Sequence, residues 1–298
     1  MVNVSFGRIL AALFVGILLS ACTPVALVDA LTPRETYRDI RDVAYGASER
    51  QRLDVYLPLP QGATHVGTMP VVVFIYGGSW QNGDRADYRF VGEALASRGF
   101  MVIVPDYRTY PEVTFPAFVD DAALAVRWAR RHASEYGADP AQLFLMGHSA
   151  GAQIVALLAT DATYLRANGL RRCDIAGVIG LAGPYDFLPL KSDVLRRIFP
   201  ASIRPASQPI HFVTGDEPPM FLGVADADGV VDPGNTLRFA QRLQAAGNAV
   251  EVRHYPVGHA MLIGAVSVPF RSAAPVLEDV VTYMNSFAGH ASANRCRS

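Results

Sequence analysis

Gly147 and Gly151 bracket His148, Ser149 and Ala150 in a G-x-S-x-G segment. The chemistry such a segment offers is nucleophilic attack by a serine hydroxyl. The apolar run Leu143-Phe144-Leu145-Met146 precedes it, and a helix-like stretch from Ala152 to Leu158 follows. A strand therefore turns sharply into a helix at Ser149, exposing the hydroxyl at a strand end and beside a helix amino terminus, which favours negative charge. The alternative is a small-residue turn that merely packs a helix on a sheet.

A serine hydroxyl is a weak nucleophile at neutral pH, so Ser149 needs a base, and the base needs a group to orient it. On the fold that carries this elbow the chain order is Ser, then Asp or Glu, then His. Of the seven histidines, His211, His254, His259 and His290 lie downstream of the elbow. His254 falls inside the alternating strand Val250–Tyr255, and His290 in a polar tail. His259 sits in Pro256-Val257-Gly258-His259-Ala260, a loop between that strand and the final helical region, and is the expected base.

The orienting acid is expected after the strand Met220–Val224, where Asp226, Asp228 and Asp232 compete. Asp232 before Pro233 reads as a helix cap, with Pro at the first helical position. Of the other two we select Asp228, because Ala225-x-x-Asp228-x-x-Val231 is similar to the G-x-x-D-x-x-V-x-P loop of serine hydrolases; Asp226 is the rival. These carboxylates do not make a calcium loop, since the EF-hand pattern would need an oxygen ligand at Val230, a glycine at Val231 and a glutamate at Leu237. We expect no metal and no cofactor.

Acyl transfer also needs donors aimed at the oxygen that becomes negative. Tyr76-Gly77-Gly78-Ser79-Trp80 follows the apolar run Val71–Ile75 and supplies a glycine pair well before the elbow. Gly77, Gly78 and the amide of Ala150 form the expected oxyanion hole. An ordinary Gly-Gly turn is the competing reading.

With these residues in place, the chain from about Leu53 to Phe287 resembles the α/β-hydrolase superfamily, in its esterase, lipase and arylformamidase branches with an H-G-G-x-W type loop. Val104-Pro105-Asp106-Tyr107-Arg108, Gly183-Pro184-Tyr185-Asp186 and Gly258-His259 add to the match. The resemblance implies a mostly parallel sheet with helices on both faces. Tyr76 departs from it, standing where those branches carry a histidine that braces the oxyanion loop.

The elements that must position these residues follow from the hydrophobic pattern. Apolar runs near 71–75, 101–104, 143–146, 176–181, 219–224 and 250–255 alternate with helical stretches near 87–98, 116–135, 150–160, 234–246 and 275–287. Near-continuous apolar strands between helices argue for a parallel sheet covered on both faces. The proline-bearing excursion from Tyr185 to Pro218 breaks the rhythm and reads equally as a short lid or as an inert loop.

The 298 residues carry a net charge of -1 with 51% hydrophobic residues, enough for one catalytic domain with a full core. The basic residues are scattered and balanced, which argues against a nucleic-acid partner. Arg8 precedes the apolar run Ile9–Leu19, too short to span a membrane. Leu19-Ser20-Ala21-Cys22 resembles the lipobox of bacterial lipoproteins, which implies lipidation at Cys22, a membrane anchor, and a cell-envelope location facing the periplasm, with outer-membrane delivery expected. The domain reading is a signal peptide over 1–21, a linker over 22–42, the catalytic domain over 43–290 and a tail over 291–298. Cys173 and Cys296 remain, and an oxidising compartment permits them to pair.

The expected activity is hydrolysis of carboxylic esters, with short acyl or aryl groups favoured because Tyr76, Trp80, Tyr185 and Phe187 surround the motifs and no basic cluster does. The alternatives are an arylformamidase-type amide hydrolase and a catalytically idle envelope scaffold.

Overall fold

The computed structural model describes residues 24–59 and 68–287. Eight strands make one sheet: β1 Tyr37–Ala44, β2 Arg52–Pro58, β3 Met69–Ile75, β4 Met101–Pro105, β5 Ala138–His148, β6 Gly177–Leu181, β7 Met220–Ala225 and β8 Val250–Tyr255. The order across the sheet is β1-β2-β4-β3-β5-β6-β7-β8. β2 runs antiparallel to both neighbours, and every other pair is parallel. With the helices on its faces, this is an α/β-hydrolase fold.

The longer helices, in chain order, are α1 Pro24–Leu31, α2 Arg89–Ala96, α3 Ala117–His132, α4 Ala150–Thr160, α5 Ala162–Ala167, α6 Asp193–Ile198, α7 Gly234–Ala245, α8 His259–Gly264 and α9 Val276–Asn285. Each central strand is apolar on both faces because helices cover both. Val71, Val72, Val73, Phe74 and Ile75 of β3 and Leu143, Leu145 and Met146 of β5 are fully buried. α3 buries Phe118, Val119, Ala122, Ala125, Val126 and Ala129, the three-and-four spacing of one helical face. The expected strands and helices all form within a few residues of their predicted limits.

The N-terminal margin differs from the sequence reading. The stretch taken as a linker over 22–42 contains α1 and most of β1, so the sheet begins before residue 43. β1 is an edge strand that buries Tyr37 while exposing Arg38, and its pairing with β2 shifts register between Ile40 and Val43. A half-polar strand interrupted by a bulge at Asp42, whose φ is 60°, carries no continuous apolar run to betray it.

The parallel crossovers gather the carboxyl ends of β3, β5, β7 and β8 along one edge of the molecule. β4 lies to one side of β3 and β5 to the other, so the chain reverses its direction of travel there and opens a crevice at the strand ends. The loop after β3 and the elbow after β5 face each other across it.

Candidate active site

Ser149 stands between β5 and α4 with φ 56° and ψ -124°, a backbone conformation that a side chain rarely adopts. Glycine is required on both sides of it for lack of space: a Cβ on Gly147 would lie 2.4 Å from the carbonyl oxygen of Gly151, and one on Gly151 would lie 2.0 Å from that of Ile75. The turn is held by the Ser149 amide donating to Leu181 of β6 at 2.9 Å. α4 starts at the next residue, so its unpaired amides and positive dipole end lie at Ser149.

The structure brings the three expected residues together. Ser149 Oγ donates to His259 Nε2 at 2.9 Å. His259 Nδ1 donates to Asp228 Oδ2 at 2.7 Å, and the Asp228 side chain is only 2% exposed. The other carboxylate oxygen, Oδ1, accepts from the amides of Val230 and Val231 at 2.8 and 2.9 Å, which fixes the carboxylate plane. Asp226 takes no part. It is exposed and bonds His254 Nδ1 at 2.7 Å, a second acid and imidazole pair that does not reach the serine. Asp232 accepts from the Gly234 amide at 2.9 Å, but the N-cap of α7 is Pro233 and not the expected Asp232, because Pro233 already has helical backbone angles outside the hydrogen-bonded helix.

His148, beside the nucleophile, is a feature the sequence reading passed over. Its Nε2 lies 3.0 Å from the carbonyl oxygen of His259. A carbonyl only accepts, so the proton of His148 is on Nε2. Nδ1 is buried without a partner among the described residues, and the ring is 4.8 Å from that of His259. Burial first, and then the neighbouring His259, push the His148 pKa down to about 3, so it is neutral.

The loop after β3 closes over Ser149. A Cβ on Gly77 would lie 2.9 Å from that of Ser149, so only glycine permits this approach. Gly78, Ser79 and Trp80 have φ of 127°, 55° and 59°, three consecutive residues in the left-handed half of backbone space. The Gly78 carbonyl accepts from the amides of Gln81 and Asn82, both at 3.0 Å. Trp80 Nε1 donates to Gln153 of α4 at 3.1 Å, and the Trp80 carbonyl accepts from the Tyr110 amide. Of the expected donors, Gly77 stands against Ser149 and Ala150 follows it in the cleft wall together with Ser79 and Trp80, while Gly78 packs against the Asn82 backbone within the loop.

Tyr76 holds this loop from behind. Fully buried, it donates from its hydroxyl to Asp106 Oδ1 at 2.7 Å and accepts from Arg50 at 3.1 Å, while Arg50 also donates to the Gly83 carbonyl at 2.7 Å. Its ring stacks between Tyr88 and Tyr107. Asp106 in turn binds Arg85, which also pairs with Asp54 at 2.9 Å. The residue that departs from the H-G-G-x-W pattern therefore closes both ends of the loop through a tyrosine hydroxyl and charged partners.

The cleft over Ser149 has a volume of about 480 Å3. The excursion after Tyr185 forms one wall with Phe187, Leu188 and Leu195, so it covers the site and is not inert. Phe187 stacks on Trp80 with centroids 5.7 Å apart, and Phe199 backs Trp80 edge-on at 4.8 Å. Two expectations change here. Tyr76 and Tyr185 are fully buried beneath the cleft and do not line it. Lys191 and Arg238 do line it. Arg238 is matched by Asp186 and Asp232, which lowers its pull on an anion. Among the described residues no cluster of His, Cys, Asp or Glu is arranged to hold a metal. Cys22 lies outside the described residues.

The chain is similar in sequence to a probable isoprenylcysteine alpha-carbonyl methylesterase of Arabidopsis thaliana, 34% identical over 155 residues, which are 50% of this chain and 32% of that protein. It is 30% identical over 246 residues to the esterase LipC of Mycobacterium tuberculosis, covering 76% of this chain and 58% of that one. The chain thus spans about a third of the plant protein and just over half of the mycobacterial one. Its fold matches that of an esterase B from Lactobacillus rhamnosis with a TM-score of 0.75 at 20% identity, over 95% of this chain and 97% of that one. The BD-FAE family model matches residues 53–243, the span that runs from β2 through the oxyanion-type loop, the elbow and Asp228 into α7, and the chain belongs to the BD-FAE family.

Proposed function

We propose that this chain is a serine hydrolase of carboxylic esters. The observation that carries the reading is the hydrogen-bonded series Asp228, His259, Ser149, at 2.7 and 2.9 Å, which ends on Ser149 in the wall of the cleft. The esterase names of the relatives, and the methyl ester named in one of them, support the same class.

His259 Nε2 takes the Ser149 proton as Oγ attacks the acyl carbon. The Ala150 amide and those of the loop from Gly77 stabilise the oxyanion. The imidazolium, held by Asp228, then protonates the departing alcohol. Water attacks the acyl-enzyme by the same route, releasing the acid and restoring Ser149. The cleft favours short acyl or aryl groups, because Trp80 and Phe187 supply flat apolar walls in a small volume.

The lipobox-like Leu19-Ser20-Ala21-Cys22 supports a second part of the proposal: an acylated Cys22 that anchors the enzyme in the cell envelope, facing the periplasm. The test of the catalytic reading is covalent labelling by a fluorophosphonate. Labelling at Ser149 with loss of esterase activity is expected, and a chain that hydrolyses no ester and takes no label is an idle scaffold.

A further inference from the structure

α4 is built of small and apolar residues, and Gln153 is the one long polar side chain in it. It stands three residues past Ala150 and is fully buried. A buried amide is unfavourable unless it is hydrogen-bonded, so a position that served packing alone would hold Leu or Met at lower free energy. Gln153 is bonded at both ends. Its Oε1 accepts from Trp80 Nε1 at 3.1 Å, and its Nε2 donates to the carbonyl oxygen of Ser207 at 2.8 Å. An indole N–H only donates and a carbonyl only accepts, so the two partners fix which way the amide points.

The series continues past Ser207. Ser207 Oγ accepts from Gln208 Nε2 at 2.7 Å, and Gln208 Oε1 accepts from the Phe187 amide at 2.7 Å. Gln153, Ser207 and Gln208 are each 0% exposed. Trp80 and Phe187, whose rings stack 5.7 Å apart in the wall of the cleft, are therefore the two ends of one buried polar series. It runs from the loop after β3, through α4, to two separate parts of the excursion after Tyr185. Trp80 itself has a φ of 59°, a conformation that persists only where the surrounding contacts hold it.

We infer that Gln153 is a positioning residue for substrate selection, holding Trp80 and Phe187 as a preformed aromatic slot beside Ser149 that takes a planar ring of the ester. The inference rests on the ester-hydrolase reading. Stacking alone is weak and tolerates several arrangements of two rings, whereas hydrogen bonds are directional and, here, enclosed. Without the Gln153 amide, the Trp80 N–H and the Ser207 carbonyl lose a partner in the interior. The ring then turns, or the excursion shifts, to recover one. With the amide in place the excursion is a fixed wall of the cleft and does not open and close with each turnover. A fixed slot binds a ring equally before and during reaction, so its loss is read in KM.

The test compares methyl acetate with phenyl acetate, which carries a ring on the alcohol side, and methyl benzoate, which carries one on the acid side, all followed by proton release. In Gln153→Met, which keeps the length of the side chain and removes both bonds, KM for the ester whose ring occupies the slot should rise about tenfold with kcat little changed, while both constants for methyl acetate stay within about twofold of the parent. Gln153→Glu keeps an acceptor for Trp80 and should lose less. Equal losses on all three esters, or none on any, would overturn the inference. A parent chain that hydrolyses none of the three would overturn the ester-hydrolase reading instead. The unsubstituted chain supplies a measurement that needs no variant to fold. Of its two indole N–H protons, that of Trp80, assigned by its persistence in Trp128→Phe, should exchange with deuterium slowly, and faster in Gln153→Met. Exchange in the parent at the rate of free indole would mean a wall that opens, and would overturn the preformed slot.

Discussion

His148 Nε2 donates to the carbonyl oxygen of His259 at 3.0 Å, tying the residue before Ser149 to the backbone of the histidine that Ser149 bonds. The bond fixes where α8 begins, and with it the imidazole that must meet Ser149. His148→Leu should therefore lower kcat about tenfold or more while KM changes little, because misplaced catalytic groups lose rate before they lose binding. Equal kcat for the variant and the parent would rule out this positioning role.

The same residue predicts a pH dependence of stability. Its pKa is about 3 in the folded chain against an ordinary 6.5, so above pH 6.5 neither state binds the proton. As pH falls from 6.5 towards 3 the unfolded chain binds a proton that the folded chain refuses, and stability drops by up to about 1.4 kcal/mol per pH unit. His148→Gln should flatten the acid side of a melting-temperature profile between pH 6.5 and 4. Parallel profiles for variant and parent would contradict it.

Ser149→Ala and His259→Ala should each reduce ester turnover by several orders of magnitude with the fold intact. Asp228→Asn should cost far more than Asp226→Asn, since only Asp228 touches His259. Steady-state kinetics on a p-nitrophenyl ester distinguishes them, and a reversed order would reassign the acid.

Tyr76→Phe removes a hydroxyl that serves Asp106 and Arg50 in a buried site. It should cost about 1–3 kcal/mol of stability and lower kcat by loosening the loop after β3 that stands against Ser149. Tyr76→His, the residue of the resembled branches, should recover part of the rate. Chemical denaturation and kcat on the same preparations measure both effects.

Esters of short acyl chains should be the best substrates, and the rate should not jump when substrate passes from solution to emulsion, since the excursion over the cleft is only partial. Formamide hydrolysis should be slower than ester hydrolysis. Phe187→Ala should reduce kcat/KM for aryl esters more than for acetyl esters, because Phe187 stacks on Trp80 at the cleft wall. For the anchor, Cys22→Ser should abolish fatty-acid labelling and detergent partitioning of the protein made with its leader.

Local patterns carried a large part of this protein. Small residues around Ser149, the loop register that selects Asp228 over Asp226, and a histidine just past a strand end are short-range signals, legible because strand, turn and helix must follow each other there. The doubly covered strands β3 to β7 were equally plain as continuous apolar runs. β1 was not, because an edge strand alternates and bulges. What the sequence left open depends on residues far apart in the chain. Tyr76 meets Asp106 and Arg50, His148 meets the His259 carbonyl across 111 positions, and Lys191 and Arg238 enter the cleft from separate elements. Such contacts have no period and no spacing to read; they exist only once parallel crossovers bring the strand ends to one edge, and burial then decides which polar atoms must find each other.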